Sequence, residues 1–170
     1  MNMKKTLIAF IILISLPLFG NAQGINWMTF EEAVALNETA PKKIFIDVFT
    51  DWCGWCKRMD QTTFQNPEVA AYMNENFYAV KFDAESDKPI EFAGYKFINE
   101  GGKNGRKGTH QLAAALLQGR LSYPSYVFMD EKNQLLTVAP GYMEAKDFLP
   151  VLKYFGTDAY LNQTFKDYIK

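Results

Sequence analysis

Hydrophobic and polar positions along the chain repeat with two periods, that of a helix and that of a strand. Ile25 to Met28 forms a short apolar stretch, read as a first strand. Thr29-Phe30-Glu31-Glu32 has the capping-box form, and the pattern behind it predicts a helix through Leu36. Ile44 to Phe49 is an apolar run rich in β-branched and aromatic residues, which suits a buried strand. Trp55 to Gln61 contains no Pro or Gly, so a helix is expected to run to about Thr62. Asn66-Pro67 supplies a cap and a first-turn proline for the next helix. Val69, Tyr72, Met73 and Phe77 lie on one face of that helix. Phe77 to Asp83 then alternates as a strand, with Tyr78, Val80 and Phe82 opposite Ala79 and Lys81.

The second half of the chain is less regular. Ile90 to Phe92 and Tyr95 to Phe97, around Ala93-Gly94, predict a small hairpin. Glu100 to Gly108 reads as a flexible basic loop, and its glycine spacing does not match a P-loop. Thr109 is expected to cap a helix through Gln118, stopped by Gly119. Ser125 to Asp130 predicts a strand after Tyr123-Pro124, and Leu135 to Ala139 its antiparallel neighbour, broken by Gly141. Glu144 to Phe155 is expected to be helical with a kink at Pro150. Paired apolar residues every four positions from Thr157 predict a final docked helix.

Length and composition bound the picture further. The 170 residues, 48% hydrophobic and 22% charged, suffice for one domain with a real core. A net charge of −1 gives no reason to expect nucleic acid or an anionic membrane surface as a partner. Residues 1–22 have the form of a secretory signal peptide: Lys4 and Lys5, an apolar run from Leu7 to Phe19, then small residues before Gln23. An uncleaved anchor is the competing reading, although the run is short for a membrane span. Cleavage leaves residues 23–170 as a single domain, periplasmic or secreted, with no stable membrane insertion. In that compartment disulfides form and persist.

The candidate chemistry lies in Cys53 and Cys56, the only cysteines, placed where the Ile44 strand hands over to a helix. The first turn of a helix has unpaired N–H groups and a partial positive charge. A thiolate there falls below its free pKa of about 8.5 and becomes the nucleophile for disulfide exchange. The spacing puts Cys53 at an exposed helix mouth, as attacking thiol, and Cys56 one turn deeper, as resolving thiol. Zinc is disfavoured, because a third cysteine is missing and His110 is the sole histidine. A structural disulfide is the remaining alternative, but so short a loop removes little unfolded-state entropy. His110, alone on its segment, is given no role.

The order of elements, the run Trp52-Cys53-Gly54-Trp55-Cys56-Lys57 and the segment Tyr123-Pro124-Ser125 resemble secreted bacterial thioredoxin-like proteins. The resemblance spans roughly Ile25 to Phe155. It implies an α/β thioredoxin-like fold, with a central mixed sheet flanked by helices, an insert before the cis-proline strand and an extra C-terminal helix. It also implies a cis bond at Pro124, a proton acceptor for Cys56 at Asp47, and Lys81 as partner of that carboxylate. Trp52, Gly54, Trp55, Tyr123 and Pro124 would form the substrate-binding face. Trp55 and the long segment Ser86 to Leu121 depart from the best-known members. The implied function is thiol–disulfide exchange with protein substrates and a redox partner, without a cofactor or metal beyond the cysteine pair. A peptide-binding module with an inert disulfide is the alternative. Gly54 and Trp55 bring no charge to Cys53, and Asp51 opposes Lys57, so a reductant or isomerase is expected rather than a strong oxidant.

Overall fold

The structure is a computed structural model, described here for residues 24–102 and 107–170. The signal-peptide reading and the middle of the basic loop therefore lie outside the described residues. Five strands form the central sheet: β1 (Trp27–Met28), β2 (Lys43–Phe49), β3 (Phe77–Asp83), β6 (Ser125–Met129) and β7 (Leu135–Pro140), in the order β1-β3-β2-β6-β7. β1 and β2 run parallel to β3, and β6 runs antiparallel to both β2 and β7, so the sheet is mixed. A separate hairpin, β4 (Ile90–Phe92) and β5 (Tyr95–Phe97), turns through Ala93 and Gly94, both at positive φ. This is the two-residue turn that matches strand twist, and Gly at its second position adopts the conformation without a Cβ penalty.

Helices cover both faces. One face carries α1 (Phe30–Thr39), the hairpin and α4 (Gln111–Leu116), packed on Ile44, Ile46, Val48, Val80, Phe82 and Val127. The other carries α2 (Gly54–Gln61), α3 (Pro67–Asn76) and α5 (Ala145–Gly156), packed on Phe45, Phe77, Ala79, Tyr126 and Phe128. Because β2 is central and covered on both faces, it is apolar at nearly every position. Thr29 caps α1 in a full capping box with Glu32, and the Asn66 side chain caps α3.

Two local expectations are corrected. α4 is capped by His110 rather than Thr109, and it ends at Leu116 rather than Gln118. The imidazole takes over because Nδ1 accepts from Leu112 N–H at 3.1 Å, while Nε2 meets the Lys88 carbonyl at 3.0 Å. One nitrogen accepts and the other donates, which assigns His110 as the neutral Nε2–H tautomer. The tail forms a 3₁₀ turn, Ala159–Leu161, and a one-turn helix α6 (Phe165–Tyr168) in place of one longer helix. Asp158 stands in the left-handed region at φ 59° and its carboxylate pairs with Lys43, which reverses the chain there. α5 spans Ala145–Gly156 with Pro150 inside it, over nearly the stretch the sequence predicts.

Candidate active site

β2 delivers the chain to Thr50, and a tight turn closes with Cys53 N–H donating to the Thr50 carbonyl at 3.1 Å. Cys53 is the N-cap of α2: its Sγ accepts from the Cys56 N–H at 3.0 Å. The two cysteines form a disulfide with Cα atoms 5.3 Å apart. The expected exposure of Cys53 is not found. It is 4% exposed and Cys56 2%, so both sulfurs sit below the surface. The flanking tryptophans are the exposed groups, Trp52 at 66% and Trp55 at 62%.

Each tryptophan leans on a tyrosine from another loop. Trp52 packs edge-on against Tyr123, centroids 5.8 Å apart, and its Nε1–H donates to Glu85 Oε1 at 3.0 Å. Trp55 packs against Tyr142 at 5.2 Å. The Tyr123–Pro124 peptide bond is cis. Trp52, Trp55 and Tyr123 thus border the disulfide, and Gly54 between the cysteines faces open space. A groove of about 660 Å³ opens beside Trp52, edged by Asp51, Glu85 and Lys107. The Lys107–Asp51 pair across it, at 3.4 Å, is solvent-exposed and contributes little to stability.

Behind the disulfide lies a polar row in the sheet. Lys81 of β3, Asp47 of β2 and Tyr126 of β6 are registered neighbours. The Lys81 ammonium donates to Asp47 Oδ2 at 2.6 Å and also to Asp60 Oδ1. It lies about 5 Å from the ring centroids of Trp27, Phe49 and Phe64, a partly buried aromatic setting. Asp60 follows Cys56 by four residues in α2, so the two share a helix face, and the Asp60–Lys81 bond ties that face to Asp47. Asp47 is 1% exposed. Burial pushes its carboxyl up to about 6, against the pull of Lys81, and the Asp60 charge adds to the rise. A carboxyl held there can exchange a proton near neutral pH.

Sequence reasoning named Asp47 and Lys81 but not Asp60, Tyr126, Tyr142 or Glu85. The i, i+4 spacing of Cys56 and Asp60 was a usable signal; the other three come from distant loops and strands and gave none. Among the described residues, no three His, Cys, Asp or Glu side chains converge as metal ligands. No helix among the described residues is long and apolar enough to cross a membrane.

Comparison with known proteins fits this geometry. A thioredoxin-fold protein from Helicobacter pylori superposes with a TM-score of 0.58 at 24% identity, over 76% of this chain and 83% of that one. A putative disulphide-isomerase from Bacteroides thetaiotaomicron gives 0.55 at 26% identity, over 82% of this chain and 98% of the other. Spermatogenesis-associated protein 20 from Rattus norvegicus is 31% identical over 75 residues, 44% of this chain but 10% of that protein, so the chain matches only about a tenth of that relative's length. The pattern of the DsbH-type thioredoxin family, described as a protein of unknown function, DUF255, matches residues 18–155, and the chain belongs to that family.

Proposed function

We propose that this protein is a thiol–disulfide oxidoreductase acting on protein substrates outside the cytoplasm, as a reductant or isomerase. The observation that carries the reading is the Cys53–Cys56 disulfide at the N-terminus of α2, with a buried, proton-exchanging Asp47 behind it. In the reduced protein, the Cys53 thiolate attacks one sulfur of a substrate disulfide. That S–S bond breaks, a mixed disulfide forms, and the first substrate sulfur leaves as a thiolate that takes a proton from water. Cys56 then gives its proton to Asp47 and attacks Cys53 Sγ. The second substrate thiol is released and the Cys53–Cys56 disulfide is restored, so two electrons have passed to the substrate. Trp52, Trp55 and the Tyr123-Pro124 segment hold the substrate chain. Lys81 keeps Asp47 oriented between turnovers.

The direction rests on charge. Cys53 has the helix terminus and the Cys56 N–H to stabilise its thiolate, whereas Asp47 and Asp60 outnumber Lys81 nearby. The potential is expected nearer to about −270 mV than to about −120 mV. An electron donor outside the cytoplasm must then re-reduce the pair. The name of the Bacteroides neighbour, a putative disulphide-isomerase, supports the same class. Thiol-dependent reduction of insulin tests the activity: the wild-type chain should accelerate it and Cys53→Ser should fall to background. A wild type no faster than Cys53→Ser would leave a peptide-binding module with an inert disulfide. Equilibration with a glutathione buffer reads the potential, and a value more positive than about −160 mV would reverse the assigned direction.

A further inference from the structure

Two buried polar atoms in the row behind the disulfide have no protein hydrogen-bond partner: Asp47 Oδ1 and the Tyr126 hydroxyl. Both side chains are essentially inaccessible to solvent. Asp47 and Tyr126 are directly paired across β2 and β6, and they point to the face covered by α2. Side chains paired in this way have Cβ atoms about 5 Å apart. Leaving two such groups uncompensated in one place is costly, and buried polar groups are almost always satisfied. One is an acceptor and the other a donor. Burial, then the charges of Asp47 and Asp60, push the Tyr126 phenol upward, so it stays protonated and can only donate to a carboxylate.

We propose that Tyr126 is a positioning residue for the exchange reaction, its hydroxyl hydrogen-bonding Asp47 Oδ1 across one water or after a small rotation of the two groups. Lys81 holds Oδ2 and Tyr126 holds Oδ1, so the carboxylate is fixed from both neighbouring strands. The charged groups acting on Asp47 are Lys81 on β3 and Asp60 on α2, and Tyr126 on β6 is its cross-strand neighbour. A donor on Oδ1 favours the ionised carboxylate, opposing burial, and keeps its proton affinity within range of a thiol handing over a proton. The ring itself is part of the core, stacked on Phe45 at 5.8 Å and packed against Phe64 and Phe148. A purely structural tyrosine would contribute only that packing.

The inference assigns Tyr126 to the reaction proposed above, but its test does not require that reaction. Carbon-13 NMR of the Asp47 carboxyl is followed against pH in the oxidised protein. Tyr126→Phe keeps the ring and removes the hydroxyl. Loss of one hydrogen bond to a charged group should move the Asp47 midpoint upward by about one pH unit. An unmoved midpoint overturns the proposal, whether or not the protein reduces insulin. Should Tyr126→Phe fail to fold, the wild type gives the same answer. The Tyr126 ring carbon bearing the hydroxyl should shift with the midpoint of Asp47, and a flat trace there overturns the proposal equally.

Discussion

Two lysines in this molecule each bridge a pair of carboxylates, and burial makes them opposites. At one end of β2, Lys43 is the buried partner, its side chain 5% exposed, while Glu131 and Asp158 are 43% and 49% exposed. At Asp47, further along β2, the burial is inverted: the carboxylate is 1% exposed and its partner Lys81 23%. Burial pulls the Lys43 ammonium down, but its hydrogen bonds to Asp158 and Glu131 more than offset that, and it is held above its ordinary value. At Asp47 burial wins over the lysine, and the carboxyl rises to about 6. The Lys43 ammonium stays charged throughout the physiological range, and its bond to Asp158 staples the tail to the sheet. The second bridge changes charge within that range and leaves one carboxylate oxygen without a protein partner. The lesson is that the identity of the buried partner, more than the presence of an ion pair, separates a staple from a reactive site.

Stability against pH should separate the two bridges. Asp47 has a raised pKa in the fold, from 3.8 to about 6. The folded state therefore holds the proton more tightly, and that contribution to stability is complete below pH 3.8 and lost as pH rises through 6. Asp47→Asn removes the penalty of ionising a buried group. It should stabilise the protein by about 3 kcal/mol at pH 8, the energy of roughly two pKa units, and by almost nothing at pH 4. Denaturant unfolding at the two pH values reads the difference. The smaller effect is at the staple. Lys43→Met keeps the buried stem and frees two half-exposed carboxylates to hydrate, so a loss of about 1 kcal/mol is expected. Because the raised lysine titrates only in the alkaline range, the loss should be equal at pH 6 and pH 8. A pH-dependent loss there would erase the contrast between the bridges.

Local signals that do not depend on distant contacts were readable in the sequence. The Thr29 capping box, the Asn66-Pro67 start of α3 and the Ala93-Gly94 hairpin all form where their residues predict. The helix start at Cys53 was legible for a similar reason, and the place of Asp47 inside the buried strand β2 follows from the apolar run around it. What was hidden depends on tertiary partners. His110 could outcompete Thr109 as a cap only because the Lys88 carbonyl fixes its second nitrogen. The tail breaks at Asp158 because Lys43, distant in sequence, captures its carboxylate. Cys53 is buried although Trp52 and Trp55 beside it are exposed, each leaning on a tyrosine from another loop. Tyr126 reads as an ordinary core residue until the β2–β6 register sets it opposite Asp47.

The central claim is that Asp47 serves the second half of the exchange, accepting the proton of Cys56, and not the first. Stopped-flow mixing of the reduced protein with a disulfide-linked fluorescent peptide resolves the two steps, formation of the mixed disulfide and its release. In Asp47→Asn, attack by Cys53 should stay within about twofold of wild type. Release should slow by about 100-fold, the usual size of a lost general base. Equal slowing of both steps would show that Asp47 supports the fold rather than the proton transfer, and would contradict the account.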